Sequence, residues 1–281
     1  MLERIARYLR THRLVPAQGG ALAGRFGTAP LAPPRPERPL YVVGDIHGEA
    51  ALLEQLLSVI DQDADGIGLG DAVLVFLGDY VDRGEQSREV LERLHALSSA
   101  LPAHVLCLMG NHERMMLDFL DRPAEGGRRW LCNGGLQTLE SFGIGGVHIA
   151  SERDDLERAA TGLRASLASG LEGWLRGLPL ICQSGNICLC HAGADPKLPL
   201  ASQPEQALLW GPPRGANGVA RRDGVWVVHG HHVVPEPEAA GGRIAVDTGA
   251  CFSGRLHAVH LHDGEVRFLC AERGRSAAAA R

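Results

Sequence analysis

The sequence has almost no lysine, no Cys-x-x-Cys motif and no long uninterrupted apolar run. Lys197 is the only lysine among 28 basic residues, and the net charge of the 281-residue chain is −5. A chain with this charge balance is not a general nucleic-acid binder. The seven cysteines never form a Cys-x-x-Cys motif, so we expect neither a zinc–thiolate site nor a thioredoxin-like site. Most of them lie in apolar runs, which is typical of free cysteine in a reducing compartment.

The lack of a long apolar run argues against a transmembrane helix, and we predict no stable membrane insertion. No signal peptide is expected, because arginines interrupt the first apolar residues; they are Arg4, Arg7, Arg10 and Arg13. We therefore expect a cytoplasmic protein. Residues 1–39 are predicted to form an amphipathic helix over 1–13, followed by a Pro/Gly-rich linker. Such a helix could touch a membrane surface, but we favour docking on the body of the protein.

The sequence does contain a repeated order of a short apolar run, a glycine and then polar residues. The apolar runs predict buried strands that end in tight turns. Polar groups at the carboxyl ends of such strands lie where open α/β sheets place their ligands. The order occurs three times: Leu40–Val43 before Gly44-Asp45-Ile46-His47-Gly48, Val73–Leu77 before Gly78-Asp79-Tyr80-Val81-Asp82-Arg83-Gly84, and Val105–Met109 before Gly110-Asn111-His112-Glu113.

Helical patterns separate these strands, with apolar residues at helical spacing over Glu49–Gln62 and again after Gly84. This alternation predicts βαβ units and a mainly parallel sheet. Residues 115–180 are predicted to form an inserted helical cap. Later strands with little helix between them indicate a second sheet packed on the first. We expect one domain over residues 40–272 and a disordered tail over residues 273–281.

The polar residues at the predicted strand ends are carboxylates, imidazoles and an amide, together with one arginine. Oxygen and imidazole ligands suit Mn, Fe, Zn or Mg better than copper(I) or an iron–sulfur cluster. There are enough of them for two divalent ions that share a carboxylate, an arrangement suited to displacement at phosphorus. Nine residues make up this predicted site: Asp45, His47, Asp79, Asp82, Arg83, Asn111, His112, His191 and His231.

Five motifs in order resemble the PPP family of metal-dependent serine/threonine protein phosphatases, in the calcineurin-like metallophosphoesterase superfamily. They are the three motifs above, His191-Ala192-Gly193 and Gly230-His231. Asn133-Gly134-Gly135 and Asp247-Thr248-Gly249 resemble bacterial members more than eukaryotic ones. The resemblance implies the metallophosphoesterase fold, an α/β architecture in which two mixed β-sheets pack as a sandwich flanked by helices. This agrees with the second sheet expected from the later strands.

The resemblance also implies two divalent metal ions, with Mn²⁺ favoured and Fe, Zn or Mg as alternatives. Six residues would be their ligands, with Asp79 bridging both ions: Asp45 and His47 for the first ion, and Asn111, His191 and His231 for the second. Arg83 and Asn111 would hold the substrate phosphate. A metal-bridging hydroxide would attack directly, without a phosphoenzyme. His112 would protonate the leaving alkoxide, and Asp82 would orient His112.

The sequence departs from the family pattern at the second phosphate-binding arginine. Bacterial members often carry this arginine two residues after a tryptophan, but here Pro212 follows Trp210 at that spacing. Arg214 is the nearest substitute, so we predict it as a further phosphate-binding residue. His232 also replaces the Thr or Gln common after the last ligand histidine.

We expect hydrolysis of phosphomonoesters, with phosphoserine and phosphothreonine in phosphoproteins or phosphopeptides as the substrate. One alternative shares the metal site and hydrolyses symmetrical dinucleoside polyphosphates. Relatives with that activity usually lack the aspartate present here as Asp82, and their third motif tends to end in Asp rather than Glu113. A second alternative is a non-catalytic metal-binding scaffold, which would not need His112 as an acid. The sequence does not indicate an oligomeric state.

Overall fold

A computed structural model gives the fold of this chain and describes residues 31–67, 70–214, 219 and 221–274. The predicted N-terminal helix over residues 1–13 lies outside the described residues. So do the first part of the predicted linker and most of the predicted tail. The described end of the linker, residues 31–39, is almost wholly without helix or strand. It is attached by the side chain of Asn186, which accepts a hydrogen bond from Arg35 N at 2.6 Å and donates to the carbonyl of Pro33 at 3.0 Å.

The described residues form ten strands and nine α-helices. The strands are β1 Leu40–Val43, β2 Val73–Phe76, β3 Val105–Cys107, β4 Ile181–Ser184, β5 Ile187–Cys190, β6 Trp226–His229, β7 Glu238–Ala240, β8 Arg243–Ala245, β9 Arg255–His262 and β10 Glu265–Glu272. The helices are α1 Ala50–Ile67, α2 Ser87–Ala100, α3 Asn111–Asp121, α4 Pro123–Trp130, α5 Leu136–Ser141, α6 Arg153–Ser166, α7 Leu171–Arg176, α8 Glu205–Trp210 and α9 Ala250–Ser253. Leu131–Gly135 is a π-helical turn, and Leu200–Ser202 is a 3₁₀ turn.

The strands form two five-stranded mixed sheets, as the resemblance implied. The first sheet has the order β10-β9-β1-β2-β3, and the second has the order β4-β5-β6-β8-β7. In the first sheet, β1, β2 and β3 are parallel and β9 runs antiparallel to β1. In the second, β5, β6 and β8 are parallel, and the edge strands β4 and β7 are antiparallel to their neighbours. The α/β metallophosphoesterase fold is therefore confirmed.

The side chains of each strand alternate between two hydrophobic cores. Leu40 and Val42 of β1 belong to a core between the sheets, together with Ile187 and Leu189 of β5. Tyr41 of β1 points the other way, into a core shared with the helices. This period of two is what a strand with apolar neighbours on both faces requires. Each fully buried aliphatic side chain contributes roughly 1.5–3 kcal/mol of burial free energy, so the two cores hold the strand ends in register.

The helices cover the outer face of the first sheet. Helix α1 continues past its predicted end at Gln62 because Ala64 still packs on the helix-side core. Residues 115–180, predicted as a helical cap, contain most of α3 and all of α4 to α7, and these helices share the same core with the first sheet. No helix in the described part of the chain is both long and apolar enough to cross a bilayer.

Two edge strands were missed by the sequence analysis. All three residues of β7 are exposed, so no apolar alternation marks it; its pairing with β8 alone defines it as a strand. Strand β4 pairs with β5 through a short turn at Gly185 and Asn186. By contrast, β9 and β10 are joined by a tight turn at Asp263 and Gly264. Both residues have positive φ angles, 42° and 90°, as the tightest hairpin turns require.

Candidate metal centre

The loops that follow the parallel strands meet at one edge of the sandwich. Five non-glycine residues there have left-handed backbone conformations, with φ angles of 47° to 74°; they are His47, Asp79, Asp82, Arg83 and His231. Such conformations cost free energy and persist only where the surrounding structure enforces them, which is common at functional sites. Backbone bonds join the loops: Ile46 N and His47 N both donate to the Asp79 carbonyl, at 3.0 and 2.9 Å.

The buried carboxylate of Glu113 holds the second loop in this conformation. Its two oxygens accept hydrogen bonds from the backbone N–H groups of Gly110, Asp79, Tyr80 and Val81, at 2.7 to 3.2 Å. Burial and the charge of Asp79 raise the pKa of Glu113 to about 7, although the N–H groups favour the ionised form. Glu113 was not among the predicted site residues, and the structure identifies it as the residue that positions Asp79.

Asp79 lies at the centre of a cluster of imidazoles. Its Oδ2 is 3.5 Å from His47 Nε2 and 3.8 Å from His112 Nε2, and its Oδ1 is 3.3 Å from His191 Nε2. Two groups of potential metal ligands therefore share this carboxylate: His47, Asp79 and His112 form one, and Asp79, His191 and His231 form the other. Burial would raise the pKa of Asp79, but the imidazoles outweigh it and the pKa is lowered well below the usual range.

The imidazoles present lone pairs to the centre of the cluster. His47 Nδ1 lies 2.8 Å from the Val81 carbonyl and His191 Nδ1 lies 3.2 Å from the Leu77 carbonyl. Because a carbonyl only accepts, each Nδ1 carries the proton and each Nε2 has a free lone pair. Burial lowers the pKa of both His47 and His231 to about 3, so these rings are neutral, as metal binding requires.

Several nitrogen and oxygen atoms that can accept hydrogen bonds crowd together. His191 Nε2 is 2.8 Å from Asn111 Oδ1 and 3.2 Å from His231 Nδ1. Asp45 Oδ2 accepts a hydrogen bond from His231 N at 3.0 Å, while its buried Oδ1 has no hydrogen-bond partner among the described residues. Converging lone pairs and an unpartnered buried carboxylate oxygen are unfavourable unless a cation lies among them. The donor set of carboxylate, imidazole and amide oxygen fits divalent ions.

Asp247 adds a further carboxylate that the sequence analysis had not assigned to the site. Burial raises the pKa of Asp45 well above its usual value, and the charges of Asp247 and Asp79 raise it further. Burial also raises the pKa of Asp247 to about 6, while the Gly249 N–H donates to its Oδ1 at 2.7 Å. This concentration of negative charge favours a bound cation still more. Gly230 allows the close packing, since a Cβ there would lie 2.0 Å from Asp45 Oδ1.

His112 and Asp82 form a hydrogen-bonded pair beside the cluster. His112 Nδ1 is 2.7 Å from Asp82 Oδ2. Trp130 Nε1 donates to the same carboxylate at 3.0 Å, and the Thr138 hydroxyl donates to Oδ1 at 2.7 Å. Burial alone would lower the pKa of His112, but the charges of Asp79 and Asp82 outweigh burial and raise the pKa. The two carboxylates therefore favour the protonated form of His112, whose Nε2 lies 3.8 Å from Asp79 Oδ2.

The guanidinium of Arg83 lies beside His47 and His112. Its two terminal nitrogens lie 2.9 Å from His47 Nε2 and 3.2 Å from His112 Nε2. A metal ion bound at His47 would compete with the guanidinium for that lone pair. Arg83 N also donates to the Gly134 carbonyl at 3.3 Å, and a Cβ on Gly134 would lie 2.6 Å from this nitrogen. The Asn133-Gly134-Gly135 motif thus supports the Arg83 loop.

A model of the calcineurin-like phosphoesterase family matches residues 38–247, which contain every member of the cluster. The chain belongs to the calcineurin-like phosphoesterase family. The family is metal-dependent, in agreement with the donor set described above, and its members are phosphoester hydrolases.

This phosphoesterase is similar to curated relatives of two kinds. A symmetrical bis(5'-nucleosyl)-tetraphosphatase of Legionella pneumophila is 32% identical over 160 residues, which cover 56% of this chain and 45% of the relative. The catalytic subunit of serine/threonine-protein phosphatase 6 of Drosophila melanogaster is 40% identical over 75 residues, which cover 27% and 23%. The chain thus spans less than half the length of either relative.

A solved structure shows the same fold. A crystal structure of a protein whose assignment as a diadenosine tetraphosphatase is provisional has a TM-score of 0.56 and 22% identity. The superposition covers 85% of this chain and 96% of that protein. At this identity the likeness extends to the fold alone.

The structure brings the predicted site residues of this phosphoesterase together, with one exception. Asp45, His47, Asp79, Asn111, His112, His191 and His231 meet in the cluster, with Asp82 and Arg83 bonded to it. Arg214 is exposed in a turn after α8 and makes no hydrogen bond or ion pair with the described residues, so its predicted role stays a prediction. Glu113, Asp247, Trp130 and Thr138 were missed. Trp130 lies within the segment predicted as a helical cap, and no local signal marked its bond to Asp82.

Proposed function

We propose that this phosphoesterase hydrolyses phosphomonoesters with basic alkoxide leaving groups, and that phosphoserine and phosphothreonine in proteins are its substrates. The observation that supports this most is the His112–Asp82 pair, at 2.7 Å. A serine or threonine alkoxide is a strong base and leaves readily only if an acid protonates it. A nucleotide leaving from a phosphoanhydride is a weak base and gains little from such an acid. A His–Asp pair positioned to protonate the leaving group therefore favours a phosphomonoester as the substrate.

We propose Asp45, His47, Asp79, Asn111, His191 and His231 as ligands of two divalent ions, with Mn²⁺ as the favoured metal. Such ions, when bound, would polarise the phosphoryl group and lower the pKa of water. Other residues of the chain would bind substrate and move the proton. The Arg83 fork would hold phosphoryl oxygens, which it matches in geometry, and Asn111 would assist it. His112 would protonate the leaving oxygen from Nε2, and the Asp82 carboxylate would stabilise the imidazolium.

Symmetrical dinucleoside polyphosphate hydrolysis is the second candidate. The relative from Legionella pneumophila supports it, since its similarity covers more of this chain than that of the protein phosphatase 6 subunit. The metal cluster itself fits either reaction, because both displace a leaving group at phosphorus. The acid pair is what separates the two in favour of the monoester.

The test compares phosphate release from a phosphoserine peptide and a phosphothreonine peptide with ADP release from diadenosine tetraphosphate by the same Mn²⁺-loaded protein, because symmetrical cleavage of the dinucleotide yields two ADP and no inorganic phosphate. We expect the larger kcat/KM for one of the peptides. A clear preference for the dinucleotide would replace the first candidate by the second. Activity should disappear with a chelator and return when Mn²⁺ is added back. A matched control is His112→Asn, which should lose peptide hydrolysis in the same preparation; an unchanged rate would mean that a contaminating phosphatase is being measured.

A further inference from the structure

Arg129 is distinguished among the arginines of residues 115–180 by its stacking on an aromatic ring. Its guanidinium lies over the ring of Trp210, 4.2 Å from the ring centroid. Arg129 is exposed, and its guanidinium makes no hydrogen bond or ion pair within the part of the chain that the structure describes. Several arginines nearby do pair with carboxylates; they are Arg153, Arg158, Arg164 and Arg176. Stacking on an aromatic face leaves the N–H edges of a guanidinium free to donate.

The tryptophan beneath Arg129 is part of the wall of the metal cluster. The Trp210 ring meets the His231 ring edge-on, with centroids 6.2 Å apart and an interplanar angle of 85°. Helix α8, which ends at Trp210, is fixed beside the cluster by the hydrogen bond from Ala192 N to the Leu208 carbonyl, at 2.8 Å. Trp210 therefore forms a fixed platform at the His231 end of the cluster, and Arg129 rests on it.

The backbone that carries Arg129 is tied to the other end of the cluster. The next residue, Trp130, donates its indole N–H to Asp82, and Gly134 accepts a hydrogen bond from Arg83 N. The carbonyl of Arg129 itself accepts a hydrogen bond from Asn133 Nδ2 at 2.8 Å. The end of α4 thus reaches from the Asp82 and Arg83 side across to Trp210. Arg83 lies at the His47 end of the cluster, and Arg129 lies on Trp210, whose ring adjoins His231.

We propose that Arg129 is a substrate-binding residue that donates hydrogen bonds to phosphoryl oxygens, while Arg83 donates to them from the other end. This proposal rests on the proposed phosphoester hydrolysis. A phosphate dianion has more acceptor oxygens than one planar fork can satisfy, so a second fork adds binding free energy and orientation. Trp210 acts as the positioning residue for this second fork.

The direct test measures binding of inorganic phosphate to Mn²⁺-loaded protein by calorimetry, together with phosphate inhibition of p-nitrophenyl phosphate hydrolysis. Because Arg129→Ala removes a charge-assisted hydrogen bond to phosphate, we expect it to weaken phosphate binding about tenfold or more and to raise KM by a similar factor. Arg128→Ala is the matched control, since it removes the same charge from the preceding exposed position of α4 without touching Trp210. Phosphate affinity should be unchanged in this control.

Three results would overturn the proposal. Unchanged phosphate affinity in Arg129→Ala, with only a lower melting temperature, would show that the stacking on Trp210 is structural. An equal loss in Arg128→Ala would show a general effect of charge. A loss in Arg214→Ala with none in Arg129→Ala would return the role to the residue predicted from the sequence. Because phosphate itself is the probe, a failure of the protein to hydrolyse phosphopeptides would not affect the outcome for Arg129.

Discussion

Replacing Asp82 by asparagine removes the charge behind His112 and keeps the shape of the side chain. The amide oxygen can still accept the hydrogen bonds that Trp130 and Thr138 donate to Oδ1, and the amide NH₂ then faces His112 Nδ1, which lies 2.7 Å from the present Oδ2. Because an NH₂ group only donates, Nδ1 must accept, and the ring carries its single proton on Nε2 as a neutral imidazole. A neutral imidazole is a much weaker acid than an imidazolium.

The size of the loss follows from the bond that is removed. A hydrogen bond between charged groups contributes about 1.5–3 kcal/mol, which corresponds to about a 10- to 100-fold change in rate where proton transfer limits turnover. General acid catalysis as a whole is worth about 10²–10⁴-fold, so Asp82→Asn should retain part of it. We expect this loss for phosphoserine and other alkyl phosphates. For p-nitrophenyl phosphate, whose leaving group departs without protonation, we expect little change in kcat.

The assay is a series of aryl and alkyl phosphates whose leaving groups increase in basicity. The logarithm of kcat should fall more steeply with leaving-group basicity for Asp82→Asn than for the unaltered protein. Asp63→Asn provides a matched control, because it also replaces a hydrogen-bonded aspartate but lies outside the cluster, bonded to Tyr41 and Arg267. Its slope should equal that of the unaltered protein. An equal loss for every leaving group in Asp82→Asn, with metal content retained, would refute the acid role of this pair.

Three further predictions concern the metal cluster, the loop that carries it and the remote ion pair. In dialysed protein, His112→Asn should keep its metal and lose most turnover, whereas Asp79→Asn should lose metal as well. Glu113→Gln should lower the free energy of unfolding in urea by at least about 2 kcal/mol, because backbone N–H groups lose their carboxylate. The hydrogen bond from Arg267 lowers the pKa of Asp63, so its stabilisation is full above about pH 4 and disappears as the pH falls through the lowered value. Asp63→Asn should therefore cost about 1 kcal/mol at pH 7, and the cost should shrink as the pH is lowered through the acid range.

Each of these has an outcome that contradicts it. Metal loss in His112→Asn would make His112 a ligand, as its place beside His47 and Asp79 allows. An unchanged unfolding free energy in Glu113→Gln would mean that the loop does not depend on the carboxylate. A stability difference for Asp63→Asn that is equal at pH 7 and pH 2 would show that the ionised carboxylate is not its source.

The sequence predicted those parts of the site that are encoded locally. A buried strand, a glycine and a polar residue recur within a few positions, so the local pattern alone places Asp45, Asp79 and Asn111 at strand ends. The parallel order of β1, β2 and β3 then brings those ends to one edge. The two mixed sheets were expected from the family resemblance and from the later strands, but the last two of those strands, β9 and β10, belong to the first sheet and not to the second.

The remainder depends on contacts between distant parts of the chain, which no local pattern reports. Asp247 lies beside Asp45 because the second sheet packs on the first. Trp130 donates a hydrogen bond to Asp82, which lies 48 positions earlier in the sequence. The apolar residues around Trp130 recur at helical spacing, and this pattern indicates only a core residue. Glu113 gained its role from the folding of the Asp79 loop around it. Strand β7 was missed because its exposed residues carry no hydrophobic alternation.

Electron paramagnetic resonance of the Mn²⁺-loaded protein, combined with metal analysis, tests most directly whether the cluster holds two ions that share Asp79. Two divalent ions that share a carboxylate lie about 3.5–4 Å apart, so their unpaired electrons are coupled through the shared ligand. We predict two Mn²⁺ per chain with a coupled spectrum that is lost in Asp79→Asn. One Mn²⁺ per chain with the six-line spectrum of an isolated ion, or a spectrum unchanged by Asp79→Asn, would contradict the proposed centre.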